Sequence, residues 1–296
     1  MKNFALFAAI VFSGQLFNFD VFKLVFLGFI SFTLVSSSSY IINDIVDRQK
    51  DRLHPFKKGR PIASGKISVF EAVFLLIIMY AIFFSIAVKL GGAFLFISFV
   101  YIFLQVFYSL LFKNLAIFDI LFIATGYILR VLAGEAISGY HISVWLLLTT
   151  ISLSLFLAVG KRRSELTLLK NFESTKIEEV RKSLSHYSQD LLNAFTAIFA
   201  TSTFIFYSFF TFLENPTGVK ISFSLLLPEF LPYYLQKKWL MITIIPVIYG
   251  LMRYMQDIYE KSEGESPDRM LLSDKALLGA VILWTALVIV IIYFIG

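Results

Sequence analysis

Long apolar stretches separated by short polar breaks run along almost the whole chain of 296 residues. Most approach the roughly 20 residues that a helix needs to cross a bilayer, although the first is short. Backbone groups in lipid must be satisfied within their own segment, so each stretch is predicted to be a helix. The nine predicted spans are about 4–17, 22–42, 68–88, 93–111, 116–137, 143–160, 191–213, 239–255 and 275–295.

The composition supports a membrane protein and excludes several other classes. Hydrophobic residues make up 58% of the chain and charged residues 16%, with a mean hydropathy of +0.80. One soluble core of this length cannot bury so much apolar surface, and a disordered or collagenous chain would not carry it. The absence of cysteine from the sequence excludes disulfides and thiolate chemistry. Neither a phosphate-binding P-loop nor a basic–aromatic pattern is present, so no nucleic-acid partner is expected.

The distribution of basic residues predicts the orientation in the membrane. With the N-terminus inside, one face of the nine spans holds 20 of the 26 Lys and Arg residues, the other holds five, and Arg130 lies within a span. The positive-inside rule makes the rich face cytoplasmic and places the C-terminus outside. No linker divides the chain, so residues 1–296 are predicted to form one all-α transmembrane domain. Its predicted cytoplasmic loops are 43–67, 112–115, 161–190 and 256–274.

An acidic motif follows the second apolar stretch. Asp44, Asp47 and Asp51 are spaced to share one helix face within an arc of about 60°. Three carboxylates on one face repel one another unless a cation neutralises them. Mg²⁺ suits this role, because it takes one or two carboxylates, several waters and the phosphate oxygens of a substrate. Ordinary solvated acidic residues at a helix end are the alternative interpretation.

A basic segment comes next. Lys57, Lys58 and Arg60 lie between Pro55 and Pro61, which break helical structure. Acidic and basic groups side by side suit a metal–diphosphate ligand, since the bases can hold the phosphate oxygens that the metal leaves free. The same bases could instead enforce topology or contact anionic lipid headgroups.

The fifth and sixth predicted spans add ionisable residues. Asp119 and Arg130 are 11 residues apart on one face of the fifth span, and such residues within a membrane usually face protein or water and act in function. A structural ion pair, with Glu135 as a further partner, is the alternative. Lys161 and Arg162 leave the sixth span, where they could hold a phosphate or serve only as a positive flank. The acidic loop after Arg253 could bind an ion or be simply solvated.

Taken together, these segments resemble the UbiA superfamily of intramembrane prenyltransferases, and within it the decaprenyl-phosphate phosphoribosyltransferase branch. The aspartate motif marks the superfamily, and the combination of motifs marks the branch over nearly the whole chain. The matching segments are N-D-x-x-D-x-x-x-D-R-x-H-P-x-K-x-x-R-P-I-A-x-G (43–65), Tyr108, Ser109, Lys113, Asp119, 130–134, Gly160 to Glu165, 181–184 and the 253–265 loop.

The resemblance implies a helical bundle around a central cavity that opens to the cytoplasm, in a bacterial plasma membrane. It implies Mg²⁺-dependent transfer of a 5-phosphoribosyl group from phosphoribosyl diphosphate (PRPP) to a polyprenyl phosphate, for lipid-linked pentose precursors of the cell envelope. Asn43, Asp44, Asp47 and Asp51 would hold Mg²⁺, the three aspartates being catalytic. The residues implied to bind substrate are Lys2, Asn3, Lys57, Arg60, Tyr108, Lys113, Asp119, Arg130, Lys161, Arg162, Glu165 and Arg253.

Two other functions stay open at this point. A prenyltransferase would move a prenyl group from its diphosphate to an aromatic acceptor such as 4-hydroxybenzoate, but the later Asp-rich motif usual in such enzymes is replaced here by Lys113 and Asp119. A transporter would be expected to show an internal repeat, which is absent from the sequence. Branch members usually carry an Arg- and Trp-containing segment before the Lys2–Asn3 pair, so we expect its contribution either to be missing or to have been lost from this start site, with the native start upstream of Met1 left open. The oligomeric state is left open, a homo-oligomer included.

Overall fold

The computed structural model describes residues 2–53, 57–170, 182–214, 238–260 and 267–295, and every regular element in these ranges is helical. The all-α prediction is therefore confirmed. The α-helices are α1 (Ala8–Phe12), α2 (Phe19–Val46), α3 (Arg48–Leu53), α4 (Val69–Leu90), α5 (Gly92–Leu110), α6 (Phe118–Ser138), α7 (Val144–Lys170), α8 (Gln189–Leu213), α9 (Ile244–Glu260), α10 (Pro267–Ser273) and α11 (Lys275–Val290). Short 3₁₀ helices cover Lys2–Phe7, Lys57–Gly59, Phe112–Asn114, Lys182–His186 and Trp239–Thr243, and a π-helical turn (Ile291–Ile295) follows α11.

Seven helices of the described ranges are long and apolar enough to cross a membrane: α2, α4 to α8, and α11 with its π-helical turn. The predicted count of nine is not confirmed. The first predicted span is the short apolar helix Lys2–Phe12, and the eighth lies in α9, which has 17 residues. Both fall short of the roughly 20 residues that a perpendicular span requires. Large apolar side chains on the helix exteriors are exposed, Phe70 by 82%, as expected for a surface that faces lipid.

Two spans continue as helix beyond their predicted ends. α2 reaches Val46, so Asn43 and Asp44 lie on its last turn. α7 continues to Lys170, and residues 161–170 of the predicted loop 161–190 are therefore helical. The predicted loop 256–274 likewise contains the end of α9 and all of α10. Hydropathy marks where an apolar stretch ends, but Lys, Arg and Glu are good helix formers and let the helix run on. The motif residues at 54–56, 181 and 261–266 lie outside the described residues.

Polar caps fix the helix starts near the loops. Ser68 begins α4 with a reciprocal capping box, in which its hydroxyl accepts from the Glu71 amide and the Glu71 carboxylate accepts from the Ser68 amide. Ser188 caps α8, and Asp274 caps α11. Each cap satisfies an amide that the first turn of a helix leaves without a partner. The Ser188 cap sets where the chain turns from the 3₁₀ helix Lys182–His186 into α8.

The N-terminal 3₁₀ helix packs directly on α6. A Cβ at Gly134 would lie 1.9 Å from the carbonyl oxygen of Leu6, so only glycine allows this approach. Leu6 is fully buried in a core cluster with Phe32 of α2 and Phe94 of α5. The close packing brings Asn3, three residues earlier, within hydrogen-bonding distance of Arg130 on α6.

Candidate active site

A cavity of about 750 Å³ lies between α2, α5, α6 and α7. Its lining is mostly polar, although the surrounding helices are apolar. Twelve of the residues singled out from the sequence line it, and four do not: Asn3, Asp119, Arg162 and Arg253. The twelve lining residues are Lys2, Asn43, Asp44, Asp47, Asp51, Lys57, Arg60, Tyr108, Lys113, Arg130, Lys161 and Glu165.

The aspartates stand at one end of the cavity, where α2 passes into α3. Asp44 lies on the last turn of α2, Asp47 directly follows it, and the Asp51 amide donates to the Asp47 carbonyl at 2.8 Å. Arg60 Nη1 bridges Asp44 Oδ1 at 2.7 Å and Asp51 Oδ2 at 2.9 Å. Lys113 Nζ lies 2.5 Å from Asp47 Oδ1. Two basic side chains therefore offset the mutual repulsion of three carboxylates.

Burial and charge act in opposite directions on Asp51. Its side chain is only 7% exposed, and this burial raises the pKa of the carboxyl above its ordinary value. The Arg60 guanidinium acts in the opposite direction, and the neighbouring Asp47 adds to the upward shift. A cation that approached this end would therefore meet carboxylates only partly compensated by Arg60.

The donor set at this end fits a hard divalent cation. Asn43 Oδ1 is buried without a hydrogen-bond partner in the described structure, and it belongs to a cluster whose other ligating atoms are carboxylate oxygens. In the described ranges no group of three or more His, Cys, Asp or Glu side chains is arranged to hold a metal ion. Mg²⁺ does not need one, because it completes its shell with waters and with the phosphates of a substrate.

Arg130 lies at the other end of the cavity, within the membrane span α6. Its Nε donates to Asn3 Oδ1 at 2.7 Å, and its Nη2 donates to Tyr101 at 2.9 Å and to Ser36 at 3.0 Å. Its Nη1 donates to the Gly126 carbonyl. All these acceptors are neutral, and no carboxylate of the described residues pairs with Arg130. The alternative interpretation, a structural ion pair that includes Glu135, is not formed, since Glu135 contacts His141 at 2.7 Å.

Arg162 has a different environment, although it also lies at the level of the membrane-spanning helices. It is fully buried, and its Nε lies 2.7 Å from Asp119 Oδ2 in an ion pair, while its Nη1 pairs with Glu165. Its Nη2 donates to the Tyr108 hydroxyl at 3.0 Å. The structure thus joins Asp119 to Arg162 rather than to Arg130, behind the cavity wall that Tyr108 and Glu165 form.

Two residues after α7 hold Asp119 in place. The Tyr187 hydroxyl donates to Asp119 Oδ1 at 2.7 Å, and the Ser183 hydroxyl donates to Oδ2 at 3.1 Å. The Tyr187 oxygen also accepts from the amide of Ile117 at 2.6 Å. Ile117 has φ of 69°, which is strained for a β-branched residue. Burial and the Asp119 carboxylate raise the pKa of Tyr187, so its hydroxyl stays a donor.

Arg253 lies outside the cavity lining. Its Nη2 pairs with Asp274 at 2.6 Å, and this contact links α9 to the start of α11. Its Nη1 donates to Gln256 within α9. The predicted second ion site in the loop that follows falls partly on residues 261–266, outside the described structure.

Sequence reasoning missed the neutral polar part of the cavity. Ser36, Tyr101, Gln105 and Tyr127 line it but were not singled out. The available signal was the presence of polar side chains inside apolar stretches, most clearly the amide of Gln105 in the C-terminal half of α5.

Comparisons with known proteins agree with this architecture. Residues 3–163 match the UbiA prenyltransferase family. The fold is similar to that of a UbiA homolog from Archaeoglobus fulgidus solved with GPP and Mg²⁺, with a TM-score of 0.68, 19% identity, and coverage of 98% of this chain and 95% of that one. The chain belongs to the UbiA prenyltransferase family, and it is a transferase that spans the membrane several times.

Two sequence relatives that share one name indicate the branch of the family to which this chain is similar. The decaprenyl-phosphate phosphoribosyltransferase of Mycolicibacterium smegmatis is 30% identical over 93% of this chain and 82% of the relative. The protein of the same name from Corynebacterium glutamicum is 28% identical over 99% of this chain and 83% of the relative. The resemblance read from the motifs is therefore confirmed.

Proposed function

We propose that the protein transfers the 5-phosphoribosyl group of PRPP to a polyprenyl phosphate and releases diphosphate. The observation that carries the proposal is one cavity with two unlike ends. An aspartate–amide cluster with basic neighbours stands at one end, and Arg130 stands at the other without a carboxylate partner among the described residues. The names of the relatives support the same reaction.

The aspartate end suits the diphosphate of PRPP. Asn43, Asp44, Asp47 and Asp51 would hold Mg²⁺, which is present with the diphosphate ligand in the A. fulgidus homolog. When bound, the metal supplies Lewis-acid stabilisation of the departing diphosphate, worth several kcal/mol. The basic side chains already at this end, Lys57, Arg60 and Lys113, would hold the remaining phosphate oxygens.

The Arg130 end suits the phosphate of the lipid. A buried guanidinium whose acceptors are all neutral gains a counter-ion when an anion enters the cavity. Lys161 also lines the cavity and adds positive charge near Glu165. A lipid phosphate is an anion at neutral pH, so it can attack C1 of the ribose without a general base.

The chain would act mainly by positioning the two substrates. Positive charge develops on the ribose as the C1–O bond breaks, and the acceptor captures C1 from the face opposite the diphosphate. This arrangement predicts inversion at C1. Proximity and the fixed charges of the cavity supply the catalysis, without a covalent enzyme intermediate.

The distribution of Lys and Arg supports a proposal for where this chemistry occurs in the cell. We propose that residues 1–296 form one catalytic domain in a bacterial plasma membrane, with the N-terminus and the aspartate end cytoplasmic and the C-terminus outside. PRPP is a cytosolic metabolite, which agrees with the aspartates lying on the side that is rich in Lys and Arg.

Incubation of the purified protein with Mg²⁺, PRPP and a polyprenyl phosphate tests the proposal. We expect a phosphoribosyl-lipid by mass spectrometry, and no product when Mg²⁺ is chelated. A parallel reaction with a prenyl diphosphate and 4-hydroxybenzoate tests aromatic prenyl transfer, since the solved A. fulgidus homolog binds the prenyl diphosphates GPP and DMAPP. Product in the parallel reaction alone would contradict phosphoribosyl transfer.

A further inference from the structure

α5 presents a line of polar side chains to the cavity. Tyr101, Gln105 and Tyr108 are four and three residues apart, so they share one helix face, and all three line the cavity. The Tyr101 hydroxyl accepts from Arg130, and the Tyr108 hydroxyl accepts from Arg162. Gln105 lies between them, and its side-chain amide makes no hydrogen bond within the described structure.

An amide in this position is free to hydrogen-bond a molecule that enters the cavity. Placing a primary amide in an apolar span costs free energy unless its donor and acceptor are satisfied. Amides in membrane helices often bond to a neighbouring helix, but Gln105 borders the cavity instead. The absence of a side chain at Gly126 preserves this space, since a Cβ there would lie 3.3 Å from both Gln105 Nε2 and Arg130 Nη1.

The geometry of the proposed phosphoribosyl transfer indicates which part of the substrate lies beside Gln105. The acceptor phosphate and the departing diphosphate must lie on opposite faces of C1, so the ribose lies between the two anions. Along α5, Gln105 is about 6 Å from the level of Tyr101, beside Arg130, and about 4.5 Å from that of Tyr108, toward the aspartate end. Gln105 therefore stands beside the stretch of cavity in which the ribose must lie.

On the basis of the proposed function, we infer that Gln105 is a specificity-determining residue that hydrogen-bonds the ribose hydroxyls of the donor. Its carbonyl oxygen accepts from one hydroxyl, and its NH₂ group donates to the adjacent one. A vicinal diol satisfies both groups of the amide at once. A prenyl diphosphate offers neither hydroxyl, so Gln105 selects a sugar diphosphate over a prenyl diphosphate at a metal-binding end that suits both.

The test compares donors in the purified full-length protein with Mg²⁺ and a polyprenyl phosphate. Gln105→Met keeps the volume and removes both hydrogen-bonding groups. We expect kcat/KM for PRPP to fall about tenfold, while the inhibition constant of inorganic diphosphate changes less than about twofold, because only the sugar loses a partner. Ser98→Ala, on the same helix and outside the cavity lining, is the matched control and should leave both values unchanged.

A donor that lacks one hydroxyl separates recognition from packing. The wild-type protein should prefer PRPP over 2-deoxy-PRPP by a ratio that shrinks about tenfold in Gln105→Met. Gln105→Asn, which keeps an amide but withdraws it by one methylene, should show the same reduced ratio. If both variants keep the wild-type preference for PRPP over 2-deoxy-PRPP, the inference is wrong. It is also wrong if Gln105→Met weakens the use of PRPP and inhibition by inorganic diphosphate equally. Either result would leave the proposed function standing. A wild-type protein that binds PRPP but forms no phosphoribosyl-lipid would overturn the proposed function and this inference with it.

Discussion

Two buried arginines, Arg130 and Arg162, occupy opposite kinds of environment in neighbouring helices. Arg162 is fully buried and pairs with the carboxylates of Asp119 and Glu165. Arg130 is 4% exposed, borders the cavity and donates only to neutral oxygens. A buried cation that already has its counter-ion is compensated within the protein, and removing either partner destabilises the fold, whereas a buried cation without a counter-ion can accept an anionic ligand. The difference separates a structural cation from a candidate ligand-binding one.

The acidic residues divide in the same way. Asp119 has two hydroxyl donors, the Arg162 guanidinium as its ion-pair partner and no exposed surface, while Asp44, Asp47 and Asp51 line the cavity. We therefore expect substitutions in the cavity to change turnover with little effect on folding. Substitutions in the Asp119–Arg162 cluster should reduce stability first.

The largest effect is expected for Asp47→Ala. Loss of a proposed metal ligand should reduce turnover by more than about 1000-fold and abolish its dependence on Mg²⁺, because the diphosphate loses its electrostatic stabilisation. The phosphoribosyl-lipid assay over a range of Mg²⁺ concentrations checks this, with thermal unfolding in detergent as the measure of folding. Asp20→Ala, exposed at the start of the same helix α2, is the control. Retained activity in the Asp47 variant would exclude a metal site at these aspartates.

The next effect is expected for Arg162→Met. Removal of the cation leaves Asp119 buried without its counter-ion, and the free energy of unfolding should fall by about 3–5 kcal/mol. Denaturation in detergent, followed by helix content, measures the loss. Addition of Asp119→Asn should recover part of it, since the uncompensated carboxylate is then absent. A fully stable Arg162→Met protein would show that the two arginines do not differ in the way described.

Arg130→Gln tests the other side of the comparison. We expect kcat/KM for the polyprenyl phosphate to fall about 100-fold, because an anion in the cavity loses its charged donor. PRPP affinity and the unfolding temperature should change little, since the lost partners of Arg130 are neutral. Binding of each substrate is measured separately. A loss confined to PRPP would reassign Arg130 to the donor.

The smallest effect is expected for Tyr187→Phe. The substitution removes a donor to Asp119 and leaves the Ile117 amide without its acceptor, which should cost about 1–2 kcal/mol of stability. The unfolding free energy checks this, and Tyr249→Phe, whose side chain is 50% exposed, serves as the control. If both variants were equally stable, the Tyr187 bridge would not contribute to holding Asp119.

Helix positions and chemistry could be predicted from the sequence to different extents. Apolar stretches located the seven spans, but they did not show that α7 continues through Lys161 and Glu165. The helix continues there because Lys, Arg and Glu are good helix formers although they are not apolar. The spacing of the aspartates correctly placed them near one another, since that relation is local to α2 and α3. Asp119 and Arg130 share a helix, yet their partners come from elsewhere in the chain.

The sequence by itself determined the membrane class, the all-α fold and the aspartate motif, and its motifs pointed to the family. Only the tertiary structure decided which cations face the cavity. Asn3 reaches Arg130 across 127 residues, and Tyr187 reaches Asp119 across 68. Whether a buried charge is paired depends on such distant side chains, because electrostatic interactions follow distance in space and not separation along the chain.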